Sequence, residues 1–101
     1  MNIKFLSQAP VYQGDAPSLT FAAVADGEQV QCTISAEALE DHFGAASWRE
    51  EDLQLAFECH RSSIEGAAEH LLNRIGGTSV VLRSGFFRFR EARGRNPSSA
   101  A

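Results

Sequence analysis

A chain of 101 residues that is 44% apolar fits one domain with one modest core. Three prolines argue against disorder, and no apolar run approaches the roughly 20 residues of a membrane span. The net charge of −4 is unevenly divided: residues 1–82 carry four basic and twelve acidic side chains (−8), whereas residues 83–101 carry five Arg and one Glu (+4), so the body should repel nucleic acid and only the C-terminal strip should attract it.

The N-terminus has one Lys and no long apolar stretch behind it, which does not read as a secretory signal. Two cysteines are too few for a disulfide framework, and a reducing cytoplasm is the expected setting. "NIKF" reads as a short first strand, and "SQAPVYQGDAPS" holds the turn residues of a surface loop.

"LTFAAVADGEQVQCTI" carries the best hairpin signal. Asp26-Gly27 suits a two-residue type I′ turn, in which both central residues need positive φ. That turn sets Ala25 opposite Glu28, and hence Ala23 opposite Val30, Phe21 opposite Cys32 and Leu19 opposite Ile34. The apolar side chains then share one face, with Gln29, Gln31 and Thr33 on the other beside Thr20, Ala22 and Val24. Turn and pattern support the same register.

Ser35 is positioned to cap a short helix, "AEALEDHF", stopped by Gly44. Ser47-Trp48-Arg49-Glu50 reads as a capping box opening a long helix to about Ile75, where Gly76-Gly77 ends it. Leu53, Phe57, His60, Ile64, Ala67 and Leu71 form its apolar stripe. The carboxylates at 50, 51 and 52 complement the helix dipole. "SVVLRSGFFRFR" returns to strand character. Ser84-Gly85 closes a tight hairpin, pairing Leu82 with Phe87 and Val80 with Phe89, or forms a bulge in one strand; the hairpin is preferred. "GRNPSSAA", residues 94–101, reads as a disordered tail after a single domain of residues 1–93.

The polar residues of "FECHRSSIEGAAEHLL" are the first candidates for chemistry. His60 and His70 stand ten residues apart, about 15 Å along a straight helix, so one metal ion cannot take both. The chain has no Cys-x-x-Cys and no His-x-x-x-His. His60, inside the stripe, reads as a core or interface histidine rather than a ligand or general base. Cys32 reads as a small buried apolar residue, and Cys59 points away from it, against a disulfide. His42 is expected at the surface. Asp41 beside it does not make a dyad, because adjacent helical residues point about 100° apart.

"RSGFFRFREARGR" interleaves Arg with Phe, as single-strand nucleic-acid surfaces do. The plainer reading is an amphipathic strand with Phe87 and Phe89 inward and Phe86, Arg88 and Arg90 outward, Phe86 marking a subunit contact.

The stretches "LTFAAVADGEQVQCTISAEALEDHFG" and "LQLAFECHRSSIEGAAEHLL" resemble a family of small bacterial proteins, domain-of-unknown-function family 1488. The matching positions are Phe21, Asp26-Gly27, Val30, Cys32, Ile34-Ser35, Leu39, Phe57, Arg61, Ile64-Glu65 and Ala68, within a resemblance over roughly residues 2–83. It implies a two-layer α+β fold with helices on an antiparallel sheet, and no activity. It also draws attention to Arg61 and Glu65, four apart and able to pair across one turn.

The expectation is a single α+β domain: N-terminal strand, β-hairpin, and C-terminal strand or hairpin, packed by one short and one long helix. No catalytic residue, cofactor or metal is assigned. The expected role is non-enzymatic, through protein contacts in a cytoplasmic homodimer, with candidate contact residues His60, Arg61, Glu65, Phe86, Arg88 and Arg90. The alternative is weak nucleic-acid binding through Arg83, Arg88, Arg90, Arg93 and Arg95. An enzyme or metal binder using His60 ranks third.

Overall fold

The computed structural model describes residues 2–76 and 79–87. Its centre is a long antiparallel hairpin. Ser18–Ala25 and Glu28–Ser35 are joined by Asp26 (φ 52°) and Gly27 (φ 87°), the left-handed pair that a type I′ turn needs. The register is the expected one throughout, from Ala25 opposite Glu28 to Leu19 opposite Ile34. In chain order the strands are β1 (Ile3–Phe5), β2 (Val11–Gln13), β3 (Ser18–Ala25), β4 (Glu28–Ser35) and β5 (Ser79–Leu82). The helices are α1 (Ala36–Phe43), α2 (Glu50–Cys59) and α3 (Arg61–Ile75).

Among the described residues the sheet has five strands, in the order β1-β3-β4-β5, with β2 also on β3. The α+β class and the antiparallel-dominated sheet packed by helices are those expected. Four features of the chain's path differ from the sequence reading.

The first is β2, which lies inside the expected loop. It pairs Val11–Gln13 with Thr20–Ser18, further along the same edge of β3 that β1 occupies at residues 23–25. The second is β5, which runs parallel to β4, setting Cys32 against Val80 and Ile34 against Leu82. The three helices carry the chain back to the starting end of β4 before β5 begins, and such a crossover gives a parallel neighbour.

The third difference is in the long helix, which divides at His60 (φ −126°, ψ 25°). The His60 N–H is shared between the carbonyls of Ala56 (3.2 Å) and Phe57 (3.1 Å). A straight helix over residues 50–75 would be about 39 Å long, against about 27 Å for an eight-residue strand. The break lets α2 pack over β3 and α3 beside β5. The stripe shifts accordingly: α3 buries Ile64, Ala67, Ala68 and Leu72, while Leu71 is half-buried and Ile75 is 63% exposed. His60 itself is exposed, so it is not the core histidine expected.

The fourth is at Ser84-Gly85, where residues 84–87 form a helical turn instead of a hairpin or bulge. Phe89 and the tail 94–101 lie outside the described residues.

The caps follow the sequence at α1 and depart from it at α2. Ser35 Oγ accepts from the Ala38 N–H (3.1 Å), and Gly44 stops α1 in the left-handed region (φ 75°). At α2 the cap residue is Arg49, and its side chain makes no capping bond. Ser47 accepts from the Arg49 N–H (3.1 Å) and donates to Asp52 (2.5 Å), so the expected box with Glu50 is replaced by a bond one turn deeper.

One face of the sheet, with Leu19, Phe21, Ala23, Val30, Cys32, Ile34, Val80 and Leu82, is buried under Leu39, Leu53, Phe57, Ile64 and Leu72 of the helices. The Phe21 and Phe57 rings meet at 5.1 Å in its middle. The other face carries Thr20, Ala22, Val24, Gln29, Gln31, Thr33 and Val81, and none of these is buried.

Candidate functional site

Arg61 opens α3 and is the most heavily bonded side chain described. Its Nε donates to Glu65 Oε2 (2.9 Å) and its Nη1 to Glu58 Oε1 (3.2 Å), confirming the expected pairing with Glu65 and adding a second carboxylate. Nη2 donates to the carbonyls of Leu6 (2.8 Å) and Gln8 (2.9 Å), and the guanidinium lies 5.2 Å from the Phe57 ring centroid. Gln54 Nε2 donates to the Pro10 carbonyl beside it (2.9 Å). Helix side chains thus satisfy the β1–β2 connection, whose carbonyls the sheet leaves unused. The fan of bonds fixes Arg61 to its own chain and defines a structural clamp.

A second cluster joins residues 42 and 43 positions apart. Ser84 Oγ donates to Asp41 Oδ2 (2.6 Å) and stands 3.3 Å from His42 Nε2, which in turn lies 3.0 Å from the Ser84 carbonyl. Asp41 and His42 do converge on one partner, the Ser84 hydroxyl. The set holds the residue types of a catalytic triad without its geometry. A carbonyl only accepts, so the His42 Nε2 facing it carries the proton and cannot take one from the hydroxyl. Ser84 is also buried, at 1% exposure. Phe43, on α1, meets the Phe87 ring edge-on at 5.1 Å. The cluster docks the turn 84–87 onto α1. Phe86, expected to face outward, is half-buried against Phe87 (5.4 Å) and near His70 (6.5 Å).

Burial pushes the Cys32 thiol up to about 11, with the Glu65 carboxylate adding to the effect, and a protonated thiol is a poor nucleophile. Cys59 is exposed, and both cysteines are free. The ring of His60 lies 5.3 Å from that of Phe43 on the surface. Among the described residues no group of three His, Cys, Asp or Glu side chains is arranged to hold a metal ion. Within the same residues no helix is long and apolar enough to cross a membrane. Arg88 and Arg90, with Arg93 and Arg95, lie outside the described residues; Arg83 is the member of the basic strip that is described.

The remaining feature is a cavity of about 470 Å³ on the open side of the sheet. It forms where Ser18 begins β3, Thr33 and Ser35 end β4, and Val81 and Arg83 leave β5. Glu37 in the first turn of α1 and Trp48 in the α1–α2 connection complete its wall. The Trp48 Nε1–H donates to Glu40 Oε1 (3.2 Å), which orients the indole at the rim. In the sequence Trp48 stood only within the expected capping box before Glu50. The strand order that gathers the other residues was not visible there.

The fold and its surfaces define a small open-faced α+β domain, one sheet face closed by helices and the other covered by no described element. Residues 3–82 match the model of the family described as "Protein of unknown function (DUF1488)", and the chain belongs to that family. A solved structure of a DUF1488 protein of unknown function from Shewanella loihica PV-4 is similar, with TM-score 0.66 and 26% identity, over 79% of this chain and 94% of that one. Comparison with the curated proteins gave no match.

Proposed function

We propose that this protein is a non-enzymatic, cytoplasmic interaction domain that acts through protein contacts, as a homodimer formed on the bare face of the sheet. The observation that carries this reading is the exposed apolar surface on that side: Val81 is 47% exposed in β5, and Trp48 is 45% exposed at the rim of the same face. Exposed apolar surface of this kind favours association. The side chains with the richest chemistry support a non-catalytic role, since Arg61 and Ser84 are both spent on internal bonds. Of the candidate contact residues, Phe86 is largely taken up by packing and Arg61 by its clamp, which moves the expected contact from the helix side to the open face.

Light scattering at high micromolar concentration should give a dimer mass, and Val81→Glu should convert it to a monomer without changing the far-ultraviolet circular dichroism. A monomer mass for the unaltered protein would overturn the dimer.

A further inference from the structure

The cavity beside β4 has properties that a contact surface does not require. Ser18 is only 7% exposed and lines it. Leu19 and Phe21 face the core, so alternation along β3 turns Ser18 to the open side. Its hydroxyl makes no hydrogen bond among the described residues, whereas the hydroxyls of Thr20 and Thr33 bond each other (3.2 Å) and Ser35 is engaged as a cap. That hydroxyl belongs to a largely buried residue but opens onto the cavity, where it is a donor available to something bound there. Arg83 and Glu37 line the same space, and neither forms an ion pair among the described residues, with the other or with any third group. Two opposite charges that line one largely apolar space without pairing with each other match a ligand bearing both charges.

We infer that this cavity binds a small zwitterion, an α-amino acid with an apolar or aromatic side chain. Arg83 and the Ser18 hydroxyl receive the carboxylate as donors. Glu37 receives the ammonium. The side chain lies against Val81 and the Trp48 indole. A ligand with a carboxylate alone leaves Glu37 unmatched, and an amine alone leaves Arg83 and Ser18 unmatched. The volume, about 470 Å³, lies in the range of about 300–1,000 Å³ usual for small-molecule sites.

Trp48 is the single tryptophan of the chain, so its emission reports occupancy directly. The full-length protein at low micromolar concentration is titrated with phenylalanine, 3-phenylpropionate and phenethylamine, and calorimetry repeats each titration. Phenylalanine should bind saturably and at least about tenfold more tightly than either singly charged probe. Arg83→Gln should weaken phenylalanine and 3-phenylpropionate while sparing phenethylamine, and Glu37→Gln should do the converse. Ser18→Ala should weaken phenylalanine several-fold. Arg83 and Glu37 are exposed, so both variants should keep the parent melting temperature. No saturable phenylalanine binding up to about 10 mM would overturn the inference, as would equal affinity for all three probes or an unchanged probe ranking in the charge variants. The cavity shares Val81 and Trp48 with the proposed dimer face, and the failures are distinguishable: light scattering reads the dimer, and probe binding at low micromolar protein reads the cavity.

Discussion

The two faces of one sheet divide this molecule. On the face under the helices, Leu19, Phe21, Cys32 and Ile34 are buried, and the rings of Phe21 and Phe57 meet in the centre. On the other, Thr20 and Thr33 bond each other beside Ala22, Gln31 and Val81, and no described element covers them. The same two strands supply both faces, through the two-residue alternation of β structure. Stability is therefore concentrated on one side, and the other can change its side chains at little cost to the fold. That freedom is what a binding surface needs.

Substitution on each face tests the contrast. The largest effect should come from Phe57→Ala, which empties the centre of the closed face: a loss of about 3–5 kcal/mol in chemical denaturation, because the surrounding side chains relax only partly. Arg61→Ala should come next, at about 2 kcal/mol, since it strips two backbone carbonyls and two carboxylates of their donor. Hydrogen exchange should then accelerate in the β1–β2 connection before it does so in the hairpin. Arg61→Lys should recover little of this, because an ammonium cannot serve four acceptors in a fixed fork.

A smaller effect, confined to alkaline solution, should come from Cys32. Its thiol is held up to about 11 in the fold against an ordinary value of 9.0, so the unfolded chain gives up the proton first. Over that interval the folded state binds more protons than the unfolded one, and stability must fall as pH rises from about 9 toward 11. Denaturation midpoints for Cys32→Ala should fall less steeply across this interval than those of the parent. Equal slopes would show that the thiol is not sealed in the core. Smallest of all should be Val81→Thr on the open face and His60→Leu at the exposed break, each within about 0.5 kcal/mol. A loss near that of Phe57→Ala at Val81 would erase the distinction between the faces.

The sequence was most informative where the physics is local. Asp26-Gly27 dictates the turn by its backbone preferences, and the turn sets eight residue pairs in register. Ser35 and Gly44 bracket α1 through bonds that span only a few residues. The closed face of the hairpin, the burial of Cys32, and the Arg61–Glu65 pair were likewise legible, being consequences of periodicities of two and of four.

The unread features depend on distant partners. His60 breaks the long helix without proline or glycine, and the apolar stripe runs straight through it; packing against a sheet shorter than the helix decides the break. β2 is three residues long, too short for a periodic signal, and exists because the edge of β3 offers a ladder while Gln54 and Arg61 hold the connection ahead of it. The direction of β5 follows from where the third helix ends. Ser84 meets Asp41 across 43 positions, and the cavity assembles Ser18, Glu37, Trp48 and Arg83 from separate elements. The sequence by itself determined the hairpin, its register, the α1 caps and which face would be closed, because turn chemistry and alternation act between near neighbours. Only the tertiary structure decided where the long helix breaks, which way the last strand runs and which polar side chains share a pocket, because those outcomes depend on contacts whose cost in chain entropy is met only once the whole core has formed.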